Sequence, residues 1–183
     1  MNLEEIIIDD IVLKNFTILN RQTLETIRKF RNHPEIRKWM YSDDIITKRE
    51  HRNFVNSLRK DRKNFYFLAI KDTNLIGVIS IKKLDIKNRN GYLGIYVNPE
   101  EKTKNLGKIL GKVLIKLAFE ILKLHTLKLE VLENNERAIN LYEKLGFKRE
   151  GLLREFVYKD NNWINVIIMG LTENEYFANK DIK

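Results

Sequence analysis

Cysteine is absent from the 183-residue chain, proline occurs only twice and glycine eight times. Without cysteine there is no disulfide framework, no thiolate metal site and no cysteine nucleophile. The two prolines, Pro34 and Pro99, both sit at element boundaries, and no Pro/Ser-rich linker, repeat or low-complexity stretch divides the chain. Long apolar runs are also missing: none approaches the ~20 residues that a membrane span needs. The opening MNLEEIIIDD lacks the basic and apolar regions of a signal peptide, so a cytoplasmic location is expected. What remains is a charged, moderately apolar chain, sized for a single domain spanning 1–183 because domains cluster at about 100–200 residues.

The formal charge is +9, and it is regional. Residues 21–63 hold 13 Lys+Arg against 6 Asp+Glu, a net of +7. A basic excess admits nucleic acid, an anionic membrane or a phosphate-bearing small molecule as partner. In this segment basic residues alternate with apolar ones and acids are interspersed, which suits solvated helix faces or a phosphate-binding wall better than a nucleic-acid tail.

The hydrophobic periodicity predicts an α+β fold. IVLKNFTIL (11–19) alternates as a strand. Thr23 can cap a helix that runs to about Arg31, where His33-Pro34 stops it. A second helix begins near Thr47, with Glu50 as its capping-box partner and Phe54 and Leu58 on one face. The aromatic loop KWMYSDD lies between them. Strands follow at 65–70, 75–86 and 92–97 as an antiparallel meander. After Asn98-Pro99, Leu106, Ile109, Leu110, Val113, Leu114 and Leu117 keep a helical stripe that ends near His125. A strand at 127–132, a short helix stopped by Gly146 and a hairpin of strands near 149–158 and 163–171 complete about seven strands. The polar tail is 172–183. Strand 92–97, the long helix and strand 127–132 form a βαβ unit, so those two strands are expected to be parallel in a mixed, twisted central sheet flanked by helices.

The loop EEKTKNLGK (100–108) enters the long helix, whose first N–H groups lack intrahelical partners and attract an anion. Gly107 allows close approach, Asn105 tolerates the left-handed conformation, and Lys102, Lys104 and Lys108 add charge. Glu130, between Leu129 and Val131, projects to the other face of its strand, where it can act as a general base or pair with Lys128 or Lys82.

The joint pattern V-N-P, a basic glycine-containing loop, a long amphipathic helix and then LEVLENNERAINLYEKLGF closely resembles the Gcn5-related N-acetyltransferase superfamily over roughly residues 64–171. Asn135, Ala138, Tyr142, Gly146 and Phe147 match its second motif. In the first motif, Lys102 stands where Arg or Gln is usual and Asn105 where the first Gly is usual. The resemblance implies a core at 92–147 that binds acetyl-coenzyme A in a splay between the two parallel strands. Backbone groups of Lys104, Asn105, Leu106, Gly107 and Lys108, aided by Lys102, would hold the pyrophosphate. Ile95, Tyr96 and Val97 would pair with the pantetheine arm like an added strand, and Asn135 and Ala138 would sit beside it. The catalytic pair would be Glu130 as base and Tyr142 as acid, with no metal.

The acceptor side would be the helices of 21–63. FRNHPEIRKWMYS, GYLGIY and HTLKLEVLENN resemble bacterial enzymes that N-acetylate the 4-amino group of UDP-4-amino-4,6-dideoxy-N-acetyl-β-L-altrosamine in pseudaminic acid biosynthesis. A UDP-sugar needs cations for its diphosphate and apolar surface for base and deoxysugar. Arg31, His51, Lys82 and Lys83 meet the first need, and Trp39, Met40, Tyr41, Phe54 and Tyr92 the second. A protein or ribosomal N-terminal acetyltransferase is the alternative, and a nucleic-acid binder a distant one. A homodimer is admitted.

Overall fold

The computed structural model describes residues 3–180. Eight strands form one sheet: β1 (Glu5–Ile8), β2 (Ile11–Asn15), β3 (Phe65–Lys71), β4 (Asn74–Asp85), β5 (Asn90–Val97), β6 (Thr126–Leu132), β7 (Lys148–Lys159) and β8 (Asn162–Thr172). Their order is β1-β2-β3-β4-β5-β6-β8-β7. Every neighbouring pair is antiparallel except β5 and β6, the two strands of the βαβ unit. The helices are α1 (Arg21–Asn32), α2 (Pro34–Arg37), α3 (Lys48–Leu58), α4 (Leu106–Lys116), α5 (Glu136–Lys144) and α6 (Glu173–Lys180). Among the described residues no helix is long and apolar enough to cross a membrane.

The strand pleat assigns side chains to two layers. Phe67, Ile79 and Ile81 point to one face, where they meet Leu110, Leu114 and Phe119. Leu68 and Val78 point to the other and pack with Ile27 of α1 and Val55 and Leu58 of α3. Thus α4 with α5 covers one face, and α1 with α3 covers the opposite one.

Several boundaries differ from the sequence reading, each for a local reason. The eighth strand is β1, a four-residue EIII segment too short to show alternation; it pairs with β2 through a turn in which Asp9 is left-handed, at φ 54°. The strand expected at 11–19 ends at Asn15, whose side chain accepts from Thr17 N–H and starts a 3₁₀ turn. Asn20 caps α1 in place of Thr23: its Oδ1 accepts from Thr23 N–H at 2.8 Å, so the helix starts three residues earlier. The Thr47–Glu50 capping box of α3 is present in both directions. His51, Val55 and Leu58 form the buried i, i+4, i+7 stripe of that helix, and Phe54 stands 37% exposed with its ring edge against Tyr66. The long helix does not reach His125. Leu117–Ile121 widens into a π-turn, Leu122 N–H bonds back to Leu117 C=O, and left-handed Lys123 ends it. The tail forms α6; residues 181–183 lie outside the described residues.

Candidate active site

The parallel pairing of β5 and β6 covers only Asn90, Gly91 and Tyr92 against Thr126, Leu127 and Lys128. Beyond Tyr92 the strands part. Within the sheet, Leu93 to Val97 pair only with β4, and Leu129 to Leu132 only with β8. The facing edges of Ile95, Tyr96 and Val97 therefore carry backbone groups without a ladder partner, a gap that suits an extended ligand with amide groups.

The same gap opens toward the start of α4. Asn105, the residue before the helix, is left-handed at φ 62°, a conformation that asparagine tolerates, and makes no side-chain cap. Ile109 N–H makes the first intrahelical bond, to Asn105 C=O, which leaves the N–H groups of Leu106, Gly107 and Lys108 without a backbone acceptor. No acidic residue occupies the first turn, and Lys102 and Lys104 are exposed beside it. This end fits a pyrophosphate. Gly107 has a second role. A Cβ there would lie 3.1 Å from Leu141 Cδ2, and one at Gly111 would lie 2.4 Å from Leu145 Cδ1, so the two glycines let α4 lie close against α5.

On α5, Asn135 is the N-cap: its Oδ1 accepts from Ala138 N–H at 3.2 Å. Its amide nitrogen has no partner among the described residues. Tyr142 is 9% exposed and meets the Phe147 ring at 5.9 Å; burial pushes its phenol up to about 12, so it stays protonated at neutral pH.

Across the splay, Glu130 receives two neighbours, neither of which is the Lys128 or Lys82 considered from the sequence. Tyr41 donates to its Oε2 at 2.8 Å, and Lys83 Nζ lies 3.4 Å from its Oε1. Lys128 pairs instead with Glu150. Lys83 is left-handed at the bulge of β4, at φ 52°, and this turns its ammonium over the Tyr92 ring at 4.5 Å. Burial holds the Lys82 ammonium below the usual lysine range; the Glu130 carboxylate opposes that shift and the Lys83 charge adds to it. Burial and the bond to Glu130 both raise the Tyr41 phenol. Glu130, Tyr41, Lys83, Lys82 and Tyr92 thus converge from four segments, where β5 and β6 begin to part.

The remaining acceptor-side candidates are more dispersed. Trp39 is exposed, with Lys38 Nζ 5.4 Å from its ring centre, and Met40 is half-buried. His51 is buried, only 7% exposed, and faces α1; burial and the Arg28 charge hold its imidazole below the usual range. Arg31 lies beside Tyr96, and burial depresses its pKa. Its NH2 donates to Ser42 C=O at 3.2 Å, and its buried NH1 has no partner. Part of the basic charge of 21–63 binds the chain itself: besides Arg31, Arg37 donates to Asp43 C=O at 2.8 Å and Arg28 to Ile46 C=O at 2.7 Å. Cations here pin the carbonyls of loop 38–47, a use that the alternation of charged and apolar residues does not reveal. Two further residues escape sequence reasoning. Phe156 of β7 sets its ring edge-on to Tyr41, and Lys159 buries its ammonium under the loop. Among the described residues, no three His, Asp or Glu side chains cluster as metal ligands.

Comparison with known proteins agrees with this geometry. Residues 24–147 match the acetyltransferase (GNAT) family. The chain is 41% identical to "Acetyltransferase PseH" of Campylobacter jejuni (strain 81-176) over 75% of its own length and 84% of that protein. It is 37% identical to the protein of that name from C. jejuni strain NCTC 11168, over 81% and 91%. Spermidine N-acetyltransferase from Vibrio cholerae, solved in complex with CoA and spermine, superposes with a TM-score of 0.84 at 24% identity over 93% of this chain and 99% of that one. With a family match over most of its length and relatives well above 30% identity, this chain belongs to the acetyltransferase (GNAT) family and is an N-acetyltransferase.

Proposed function

We propose that this protein is a cytoplasmic enzyme that moves acetyl from acetyl-coenzyme A to the 4-amino group of a UDP-linked amino-dideoxy sugar. One observation carries the reading: the Tyr41–Glu130 hydrogen bond places the acceptor-side loop directly over the carboxylate at the mouth of the splay. The resemblance of that loop and of its flanking segments to UDP-aminosugar N-acetyltransferases supports the acceptor class, and so does the likeness to the two PseH proteins. A segment of net +7 also suits a diphosphate acceptor better than a polycation. The acceptor is the 4-amino group of UDP-4-amino-4,6-dideoxy-N-acetyl-β-L-altrosamine, a step of pseudaminic acid biosynthesis.

Acetyl-coenzyme A, when bound, supplies an activated acetyl thioester; the N–H groups of Leu106, Gly107 and Lys108 would hold its pyrophosphate and the free edge of Ile95–Val97 its amide arm. The chain's own groups handle the protons. An amine attacks only when neutral, and Glu130 takes the acceptor's proton at Oε1, the oxygen that Tyr41 does not occupy and that Lys83 meets at 3.4 Å. Tyr41 keeps the carboxylate oriented. Tyr142, held protonated by burial, keeps a proton available at its phenolic oxygen for the leaving group. Arg31, with one buried nitrogen unpartnered, Lys82 and Lys83 supply cationic contacts, and Trp39, Met40 and Tyr92 an apolar wall.

A free-thiol release assay with acetyl-coenzyme A tests the assignment against UDP-amino sugars, basic peptides and spermidine. Thiol is expected with a UDP-4-amino sugar. Release with peptides or spermidine alone would remove the sugar assignment and leave the family.

A further inference from the structure

Lys159 is a lysine that the chemistry above does not use. It ends β7, is only 7% exposed, and sends its ammonium to three backbone carbonyls: Arg37 at 3.2 Å, Lys38 at 2.9 Å and Met40 at 3.1 Å. An ammonium has three donors, so all of them are used. No carboxylate pairs with it among the described residues. A buried cation held only by neutral carbonyls has a high desolvation cost, which is offset only where those bonds are well made.

The three carbonyls have a common address. They close the last turn of α2 and the residues just after it, where a cation is favoured because C=O groups run short of backbone donors; Arg37 C=O is the exception, accepting also from Met40 N–H. The amides of this stretch are also bonded, Lys38 N–H to Pro34, Trp39 N–H to Ile36 and Met40 N–H to Arg37. Arg31 and Arg37 hold the next carbonyls, Ser42 and Asp43. Tyr41 is the one residue between these two sets of pins. Phe156, three residues before Lys159 on β7, meets its ring edge-on at 6.0 Å, and its hydroxyl reaches Glu130. One end of β7 therefore grips this loop twice, by backbone at Lys159 and by side chain at Phe156.

We propose that Lys159 is a positioning residue for acceptor binding: by fixing residues 37–40 it places Tyr41 over Glu130 and so sets how the acceptor amine meets the carboxylate. This rests on the reading of that loop as the acceptor side, whatever amine is the true acceptor.

Lys159→Met, which keeps the stem and removes the donors, is compared with Lys159→Arg and Tyr41→Phe. Lys159→Met is expected to raise the acceptor KM about tenfold or more, the effect of losing hydrogen bonds to a charged group, while the acetyl-coenzyme A KM stays within about twofold. Amide hydrogen exchange at residues 38–40 is expected to accelerate about tenfold or more, and exchange in β4 and β6 to stay unchanged. Lys159→Arg is expected to recover most of the protection. Tyr41→Phe is expected to reproduce the kinetic defect and leave exchange unaltered. Slow exchange at 38–40 in Lys159→Met, or an equal rise in both KM values, overturns the proposal. If Lys159→Met does not fold, Lys159→Gln, with two donors, must give an intermediate exchange rate, and wild-type protection in that variant overturns it equally. Exchange needs no acceptor, so failure of the sugar assignment cannot be mistaken for failure of this role.

Discussion

Tyr41 donates its phenolic hydrogen to Glu130 across 2.8 Å, joining a loop between two helices to the centre of the sheet. The bond occupies Oε2, while Oε1 has only Lys83 at 3.4 Å. Both carboxylate oxygens are thus engaged, Oε2 by the shorter bond. Tyr41→Phe leaves the ring packed on Phe156 and removes only this bond. Hydrogen bonds to charged groups contribute about 1.5–3 kcal/mol, so acceptor kcat/KM is expected to fall roughly tenfold to a hundredfold, with the acetyl-coenzyme A KM unchanged. Steady-state kinetics with each substrate varied in turn check it.

Asn135 has one observed duty, as a cap, and one proposed duty, toward the donor. Its Oδ1 caps α5, and its amide nitrogen has no partner among the described residues. Asn135→Ala is expected to cost about 1 kcal/mol of stability through the lost cap, and Asn135→Ser to keep most of it. Both are expected to raise the acetyl-coenzyme A KM if the nitrogen contacts the arm. Denaturant melts beside donor kinetics separate the two effects, and a normal KM in a stable Asn135→Ser removes the contact.

The legibility of this molecule in its sequence divides along the range of the interactions. The α4, β6 and α5 segments are readable because helical stripes, a Gly146 stop and the Asn135–Tyr142 spacing are local signals. The splay is not a local signal and is expected only through the family resemblance. The short β1 is not readable, since four residues carry no period. Asn20 and Thr23 are both cap-forming types, and only the backbone shows which one caps. Lys159 reads as one more hairpin lysine, and its three acceptors lie about 120 residues away in sequence. The arginines of α1 and α2 are visible as charge, but their carbonyl partners in the loop depend on tertiary placement.

The buried phenols make alkaline pH the vulnerable side. Tyr142 is raised from an ordinary 10 to about 12, and burial raises Tyr41, Tyr66 and Tyr96 as well. A raised pKa means that the folded state retains protons the unfolded chain has lost. Stability is therefore intact below about pH 10, where both states are protonated, and declines as pH climbs toward and past the folded values. Thermal melts across that window, followed with phenolate absorbance, are expected to show cooperative ionisation on unfolding. Tyr142→Phe is expected to flatten the decline and to lower kcat far more than it raises the acetyl-coenzyme A KM. Unchanged turnover removes its acid role.

Gly77 of β4 faces Val97 of β5, on the strand whose other edge is left free by the splay. A Cβ at Gly77 would stand 2.5 Å from the Tyr96 carbonyl oxygen, 2.9 Å from Val97 Cα and 2.7 Å from Leu110 Cδ1. Two of these are backbone, which no rotamer change relieves, and Leu110 is fully buried on the sheet-facing side of α4. Gly77→Ala is expected to push β5 away at Tyr96 and Val97, costing roughly 3 kcal/mol or more and disturbing both the free edge and the entry to α4. Gly151, where an added Cβ would meet no atom within 4 Å, is the control, and Gly151→Ala is expected to stay within about 0.5 kcal/mol of the parent. Denaturant melts and acetyl-coenzyme A titrations of both variants decide the matter. If Gly77→Ala binds the donor as the parent does, close approach of β4 to β5 is not what shapes the donor edge.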